Sequence, residues 1–467
     1  MQKLVFFFPW PEVSGGPFYL ARLANAVAEA GVYKVYYTDY PNGLCESLIA
    51  HRDIEVLKYC NEGEKFKIFP DEPVILVMPV YWAHMVPQVH PQTKVVFFNW
   101  HNECISVLKR DWCASDSFIN KFLGLVYQTS SVFFCDKTHL MAQNTDEISF
   151  KEEYVPIISS KRKMIARSKL VKENERNIAI LGRLCKDKIY AVLDLLDNIV
   201  ALRDFVKINV YVIGEGDHQK LLYERKYPAH INIIQCGTMD IDNVIALLSK
   251  KVDILFAMGT SVLEGATIRL PSVILPNDIK PFKCNQYPYL YESKGYALGW
   301  YPEQIDELGL PVHTVGEIFC DIYEKKQKEQ IGMKCYEYYL ENHSDNLRLF
   351  LTALDESTLT KQLYEEFKRK NTNWKRLKWV IFNKIRRLHG ETHKRFSIFG
   401  FPLYTRTKTN EYHTNLYILC LPLLRINQIG ATTTVHFLPA VWLCRVVQKI
   451  FNVLIRRLKK EDLSRRE

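Results

Sequence analysis

Residues 254–276, ILFAMGTSVLEGATIRLPSVILP, contain a complete strand, loop, helix and strand in that order. The run ending at Ala257 is apolar on both faces, which a strand can be only where it is covered from both sides. Gly259-Thr260-Ser261 breaks it, Val262–Arg269 carries a helical pattern, and Ser272–Leu275 resumes the apolar run after Pro271. Two buried strands joined through a helix belong to a parallel sheet with helices on both faces. Working outward, further strands are expected at Asn177–Leu181, Asn209–Ile213 and Asn232–Gln235, with helices at Ile189–Leu202 and Ile241–Ser249. The same rhythm occupies the preceding segment, with strands at Leu4–Phe8, Val35–Thr38, Val74–Met78, Lys94–Asn99 and Ser131–Cys135 and a helix at Phe18–Ala30. Between the two series, the charged segment from Ser159 to Asn177 has no strand pattern and is expected to link two doubly wound halves. The fold class is therefore α/β, with two Rossmann-like, doubly wound domains expected at 1–165 and 170–330. The pattern turns helical from about Val315. Residues 331–360 are expected to cross back as helices, and 361–467 form a basic extension.

Composition agrees with this division. The 467 residues are 48% hydrophobic and 24% charged, enough for two cores and unlike a disordered or disulfide-stapled chain. The net charge of +10 is unevenly spread: residues 361–467 hold 23 Lys+Arg against 7 Asp+Glu, and the first 360 hold 39 against 45. A basic appendage on a mildly acidic body argues against a nucleic-acid groove in the body. The twelve cysteines show no CxxC or zinc spacing and read as reduced thiols, which fits a cytoplasmic setting. The apolar run Leu4–Phe8 is stopped by Pro9 and Pro11, so it reads as a strand and not as a signal peptide. No run reaches the ~18 apolar residues needed to span a bilayer.

In a parallel sheet, ligands bind beyond the carboxyl ends of the strands. Arg183, Gly214 and Gly259 all fall there. Gly259-Thr260-Ser261 opens a helix, so free backbone N–H groups and the positive helix end would face an anion such as a diphosphate. Glu264, one turn on, is placed to accept hydrogen bonds from a ribose diol, and Arg183 with Lys188 to neutralise a departing diphosphate. Each has a plainer alternative: Arg183 and Lys188 as surface charges, Glu264 as a dipole partner, Gly214-Glu215-Gly216 as a tight turn. Gly15-Gly16 before a helix could be a simple turn, and His101 beside Trp100 a packing residue.

These residues resemble the retaining GT-B glycosyltransferases of family 4, which use nucleotide sugars. Gly182-Arg183-Leu184 with Lys188 is similar to the family's GRLxxxK, whose Arg and Lys contact the donor diphosphate. LEGATIRLPSVI is similar to its E-A-x-x-x-G-x-P-V, which makes Glu264 the ribose-holding glutamate of E-x7-E. The first glutamate of that signature, which contacts the donor sugar, would fall at Phe256 and is missing. Gly259 to Ser261 match the donor loop, Gly214 and Gly216 the G-x-G, Gly15-Gly16 the Gly-Gly loop, and His101 the histidine near the donor sugar. The resemblance implies hexose transfer with retention from a UDP-sugar, the donor being a substrate and no further cofactor being needed. It implies a glycan or lipid-linked acceptor, in lipopolysaccharide, capsule or related polysaccharide synthesis. Other readings of the same fold are a nucleotide-sugar epimerase, a phosphorylase, or a non-catalytic membrane adaptor.

No metal is expected. Asp240-Ile-Asp242 spells DxD but precedes the helical run VIALLSKK, where an aspartate caps. In the extension, Phe401-Pro402-Leu403 recurs as Leu421-Pro422-Leu423, which reads as a pair of hairpins. AVWLCRVVQKIFNVLIRRLKK places Arg445, Lys449 and Arg456 on one helical face and Leu443, Val447 and Leu454 on the other. That pattern suits an anionic lipid surface, so a peripheral position on the inner face of the cytoplasmic membrane is expected, with no nucleic-acid partner; packing of this helix against the body or a second subunit is the alternative.

Overall fold

The computed structural model describes residues 1–10, 15–41, 43–60, 63–112, 114–144, 148–159, 174–202, 206–371 and five strands between 393 and 437. They form two units, one of Met1–Arg110 and Ser115–Asn371 and the other of the extension from Thr372 together with Asp111–Ala114. Most of the expected linker, 160–173, and the amphipathic segment from 440 onward lie outside the described residues.

The first sheet has six parallel strands: β1 (Lys3–Phe7), β2 (Lys34–Asp39), β3 (Glu55–Lys58), β4 (Ile75–Pro79), β5 (Lys94–Asn99) and β6 (Val132–Phe134). Their order is β3-β2-β1-β4-β5-β6, with Leu4 opposite Val35 on one side and Ile75 on the other. The sequence pattern does not reveal β3. Its four residues form a sheet edge, half-buried at Val56 and Leu57 and exposed at both ends, so they carry no apolar run. The second sheet has five parallel strands: β7 (Glu175–Leu181), β8 (Lys207–Ile213), β9 (Ile231–Gly237), β10 (Ile254–Ala257) and β11 (Ser272–Ile274). Their order is β11-β10-β7-β8-β9. All four residues of β10 are buried, as a strand covered on both faces requires.

In both sheets the order reverses beside the first strand, between β1 and β4 and between β7 and β10. Such a switch point opens a crevice at the carboxyl ends of the two strands, because their crossovers leave to opposite faces. Helices α1 (Gly15–Ala30), α2 (Lys137–Met141), α3 (Lys186–Val200), α4 (Ile241–Lys251) and α5 (Thr260–Thr267) begin on those sheet edges. Asp240 caps α4, accepting a hydrogen bond from the Asn243 amide at 2.9 Å.

The helical stretch beyond Val315 is broken. Helix α6 (Lys328–Asn342) buries Ile331, Cys335 and Tyr339 in the second core, and α7 (Leu347–Glu356) buries Phe350 and Leu354 in the first. The chain therefore crosses between the halves at residues 343–346. Gly332 of α6 lies so close to the Arg269 carbonyl that a Cβ could not fit. The buried Lys328 donates to Asp253 at 2.6 Å, locking α6 to the base of β10.

The expected boundary of the extension at 361 is corrected. Helix α8 (Lys361–Asn371) belongs to the first half: the Lys361 amide donates to the Thr93 carbonyl at 2.8 Å, and the fully buried Tyr364 donates to the Ala83 carbonyl. The extension thus starts at 372. It contains an antiparallel meander, β12 (His393–Ile398), β13 (Phe401–Asn410), β14 (His413–Ile418), β15 (Leu421–Ile429) and β16 (Thr432–Phe437). The two hairpins read from the repeated Pro-Leu are β12–β13 and β14–β15. In each, the proline is paired beside a register shift, Ser397 with Pro402 and Tyr417 with Pro422. Proline cannot donate to a ladder, so it sits where the pairing is already interrupted.

Candidate active site

A cavity of about 330 Å³ lies where the carboxyl ends of the two sheets face each other. From the second half it is lined by Arg183 after β7, Asp187 and Lys188 at the start of α3, Met258 and Gly259 between β10 and α5, and Thr260 at the start of α5. Arg183 and Gly259 thus flank the switch point. Gly259 has φ 61° and ψ −149°, a conformation that favours glycine, and its amide donates to the Leu298 carbonyl at 2.6 Å. It is the N-cap of α5, so the first amides of that helix have no intrahelical acceptor.

Lys188 is half-buried, and burial lowers its pKa, the Arg183 charge adding to the effect and Asp187 opposing it. Burial would raise the Asp187 carboxyl, but the Cys185 thiol, Lys188 and Arg183 outweigh it and hold Asp187 below the usual carboxylate range. The result is a compact cationic end that an anion would further neutralise.

The first half contributes Gly15, Gly16 and Tyr19 of α1, Trp100, His101 and Asn102 after β5, and Asp136, Thr138 and His139 after β6. Gly16 lies under the Trp100 and Phe8 rings, where a Cβ would approach both to 3.1 Å, whereas a Cβ on Gly15 would meet nothing within 4 Å. The Trp100 ring also contacts Tyr19 and Tyr81, making an aromatic floor. His101 is exposed, and its Nδ1 accepts from the Glu103 amide at 3.1 Å. In the neutral ring the proton is therefore on Nε2, free to donate. Burial lowers the His139 pKa, with Asp136 opposing the shift and His101 adding to it.

The structure thus gathers Gly15, Gly16, His101, Arg183, Lys188, Gly259 and Thr260 around one cavity. Gly214, Ser261 and Glu264 do not line it. A Cβ on Gly214 would run into the Gly182 backbone, and one on Gly216 into that of Leu184. The Leu184 amide also donates to the Glu215 carbonyl at 3.1 Å. The G-x-G therefore buttresses the loop that carries Arg183. Glu264, buried on α5, is 3.4 Å from the Arg22 guanidinium of α1, an ion pair between the two halves. Phe256 is fully buried in β10 against Tyr287. The sequence reading missed Asp136, His139, Asn102, Asn277 and Tyr301. Asp136 directly follows an expected strand, so the strand-end rule applied to Arg183 would have found it.

The class defined by this fold and cleft is a two-domain, doubly wound α/β protein with a ligand cavity between facing strand ends. No protein-family model matches the chain, and no curated protein matches it. Among solved structures, it is similar to the lipopolysaccharide outer core galactosyltransferase WaaB in its apo form, at 12% identity and a TM-score of 0.47. It is also similar to Anabaena Alr3699/HepE in complex with UDP and glucose and to the trehalose-6-phosphate synthase OtsA, each at 10% identity and a TM-score of 0.46. Each likeness covers 76% of this chain and 99% of the other.

Proposed function

We propose that the protein is a glycosyltransferase that moves a hexose, with retention, from a UDP-sugar to a hydroxyl of a glycan or lipid-linked acceptor. The observation that supports this most is the convergence of Arg183, Lys188 and the Gly259–Thr260 helix start on one cavity with Gly15, Gly16 and His101. In this reading the cationic end receives the diphosphate. The acceptor oxygen bonds to the sugar's anomeric carbon as the carbon–phosphate-oxygen bond breaks on the same face, and the acceptor proton passes to the departing diphosphate oxygen. Arg183, Lys188 and the helix amides stabilise the developing negative charge, the largest catalytic contribution in sites of this kind. His101 donates from Nε2 to the sugar. Ser261 extends the helix end, and Glu264 receives the ribose diol in exchange for Arg22.

The acceptor belongs to lipopolysaccharide, capsule or a related surface polysaccharide, and the basic extension holds the enzyme against anionic lipid on the cytoplasmic side of the membrane. No helix among the described residues is long and apolar enough to cross a membrane. The first experiment is a thermal-stability screen of UDP- and GDP-hexoses. A ligand at 100 times its Kd adds about 2.7 kcal/mol, and failure of every nucleotide sugar to stabilise the protein would overturn the reading. For the extension, a chain ending at Asn371 is expected to keep nucleotide binding and lose binding to anionic vesicles; vesicle binding that survives intact would refute the lipid role.

A further inference from the structure

Besides the cations, the cavity is lined by side-chain acceptors, Asp136, Asn102 and Asn277 among them. Asp136 is 4% exposed, and its Oδ1 accepts from Thr138 Oγ1 at 2.6 Å and from the His139 amide at 3.0 Å. Among the described residues its Oδ2 accepts no hydrogen bond. From the opposite wall, Asn277 is fixed through its backbone, the amide donating to the Trp300 carbonyl at 2.9 Å, while its buried Oδ1 has no hydrogen-bond partner among the described residues. The buried Asn102 Oδ1 is in the same condition. Buried oxygens left without donors are costly, and a cavity that keeps two of them, Asn102 Oδ1 and Asn277 Oδ1, is built for a ligand that supplies donors. A polyol does so, because each hydroxyl can rotate its proton toward an acceptor.

We propose that Asp136 and Asn277 hold the hydroxyls of the donor hexose, one from each half of the molecule. This inference rests on the glycosyltransferase reading and specifies its sugar subsite. The second half offers no carboxylate at the signature position, since Phe256 is sealed inside β10. Of the two carboxylates that line the cavity among the described residues, Asp187 stands among Arg183, Lys188 and the Cys185 thiol. Asp136 remains, and it reaches the sugar from the first half. Hexose recognition then requires both walls, whereas nucleotide recognition requires only the second.

Asp136 also caps α2, and asparagine caps a helix about as well as aspartate, so Asp136→Asn removes the charge and preserves the turn. Calorimetry would compare UDP, GDP, UDP-glucose, UDP-galactose and GDP-mannose on the wild type, on Asp136→Asn and on Asn277→Ala, with kcat and KM for donor turnover. Both variants are expected to bind the free nucleoside diphosphate as the wild type does, which also establishes that they fold. The kcat/KM for the nucleotide sugar is expected to fall roughly 10- to 100-fold in Asp136→Asn, the worth of a hydrogen bond to a charged group, and roughly 2- to 10-fold in Asn277→Ala, the worth of a neutral one, each with a rise in donor KM. Unchanged discrimination between nucleotide and nucleotide sugar in both variants would overturn the assignment while leaving the transferase reading intact. A fall in kcat alone with loss of the acidic limb of the pH profile would also overturn it, making Asp136 a base. A wild type that binds none of the five ligands would overturn the reading beneath it.

Discussion

The two walls of the cleft are built by different means. The second half presents charge and backbone donors from the ends of β7 and β10, held by glycines that let main chains touch: Gly214 against Gly182, Gly216 against Leu184. The first half presents rings and acceptor oxygens, held by aromatic packing around Trp100 and by the cap of α2. A wall of the first kind is specified by spacing within short segments. A wall of the second kind is specified by which strand ends become neighbours, and chain order alone does not give that.

The contrast can be tested, beginning with the largest expected effect. Arg183→Ala removes a charge from the second wall and should raise the barrier by about 2.7–4 kcal/mol, read as kcat with the protein still folded. A variant turning over donor at the wild-type rate would remove Arg183 from the chemistry.

His343 tests the seam between the walls. It is fully buried and donates from Nδ1 to the carbonyl of Ile157, which lines the cavity, at 2.9 Å. Burial lowers its pKa to about 4, below an unfolded value of about 6.5. The native state therefore binds fewer protons than the unfolded chain between these values. Its contribution is full above about pH 6.5 and is lost as the pH falls toward 4, an upper figure of ~3 kcal/mol. Urea unfolding across that range should show the loss, and His343→Gln should flatten it.

Gly214→Ala should cost about 1–3 kcal/mol, since overpacking here moves a backbone, and should weaken nucleotide binding by displacing Arg183. Gly15→Ala should change stability by no more than about 0.5 kcal/mol, because its Cβ would enter open space. Any fall in donor binding in that variant then reports crowding of the ligand itself.

Legibility in the sequence follows the same division. Strands covered on both faces, such as β1, β4 and β10, stand out as apolar runs, and the half-covered edge strand β9 still carries three isoleucines, whereas the edge strand β3 has no such run and was missed. Arg183, Lys188 and Gly259 were visible since each lies within a few residues of its own strand end. Pairing of Glu264 with Arg22 joins positions 242 apart and has no local signature. Asp136 lies at its own strand end as Arg183 does, but that Asn277 lines the same cavity from the other half is settled only once both halves have folded. Residues 361–371 read as part of a charged tail because the half-covered helix they form shows mostly polar residues; the buried Tyr364 is the side chain that ties it down.

The paired hairpins of the extension have a consequence for how such a chain can vary. With Pro402 and Pro422 in equivalent register, each twenty-residue segment is a module that ends the way its neighbour begins. Duplicating or deleting one module would change the meander by two strands and preserve every remaining pairing. The length of this sheet is thus open to change by whole modules.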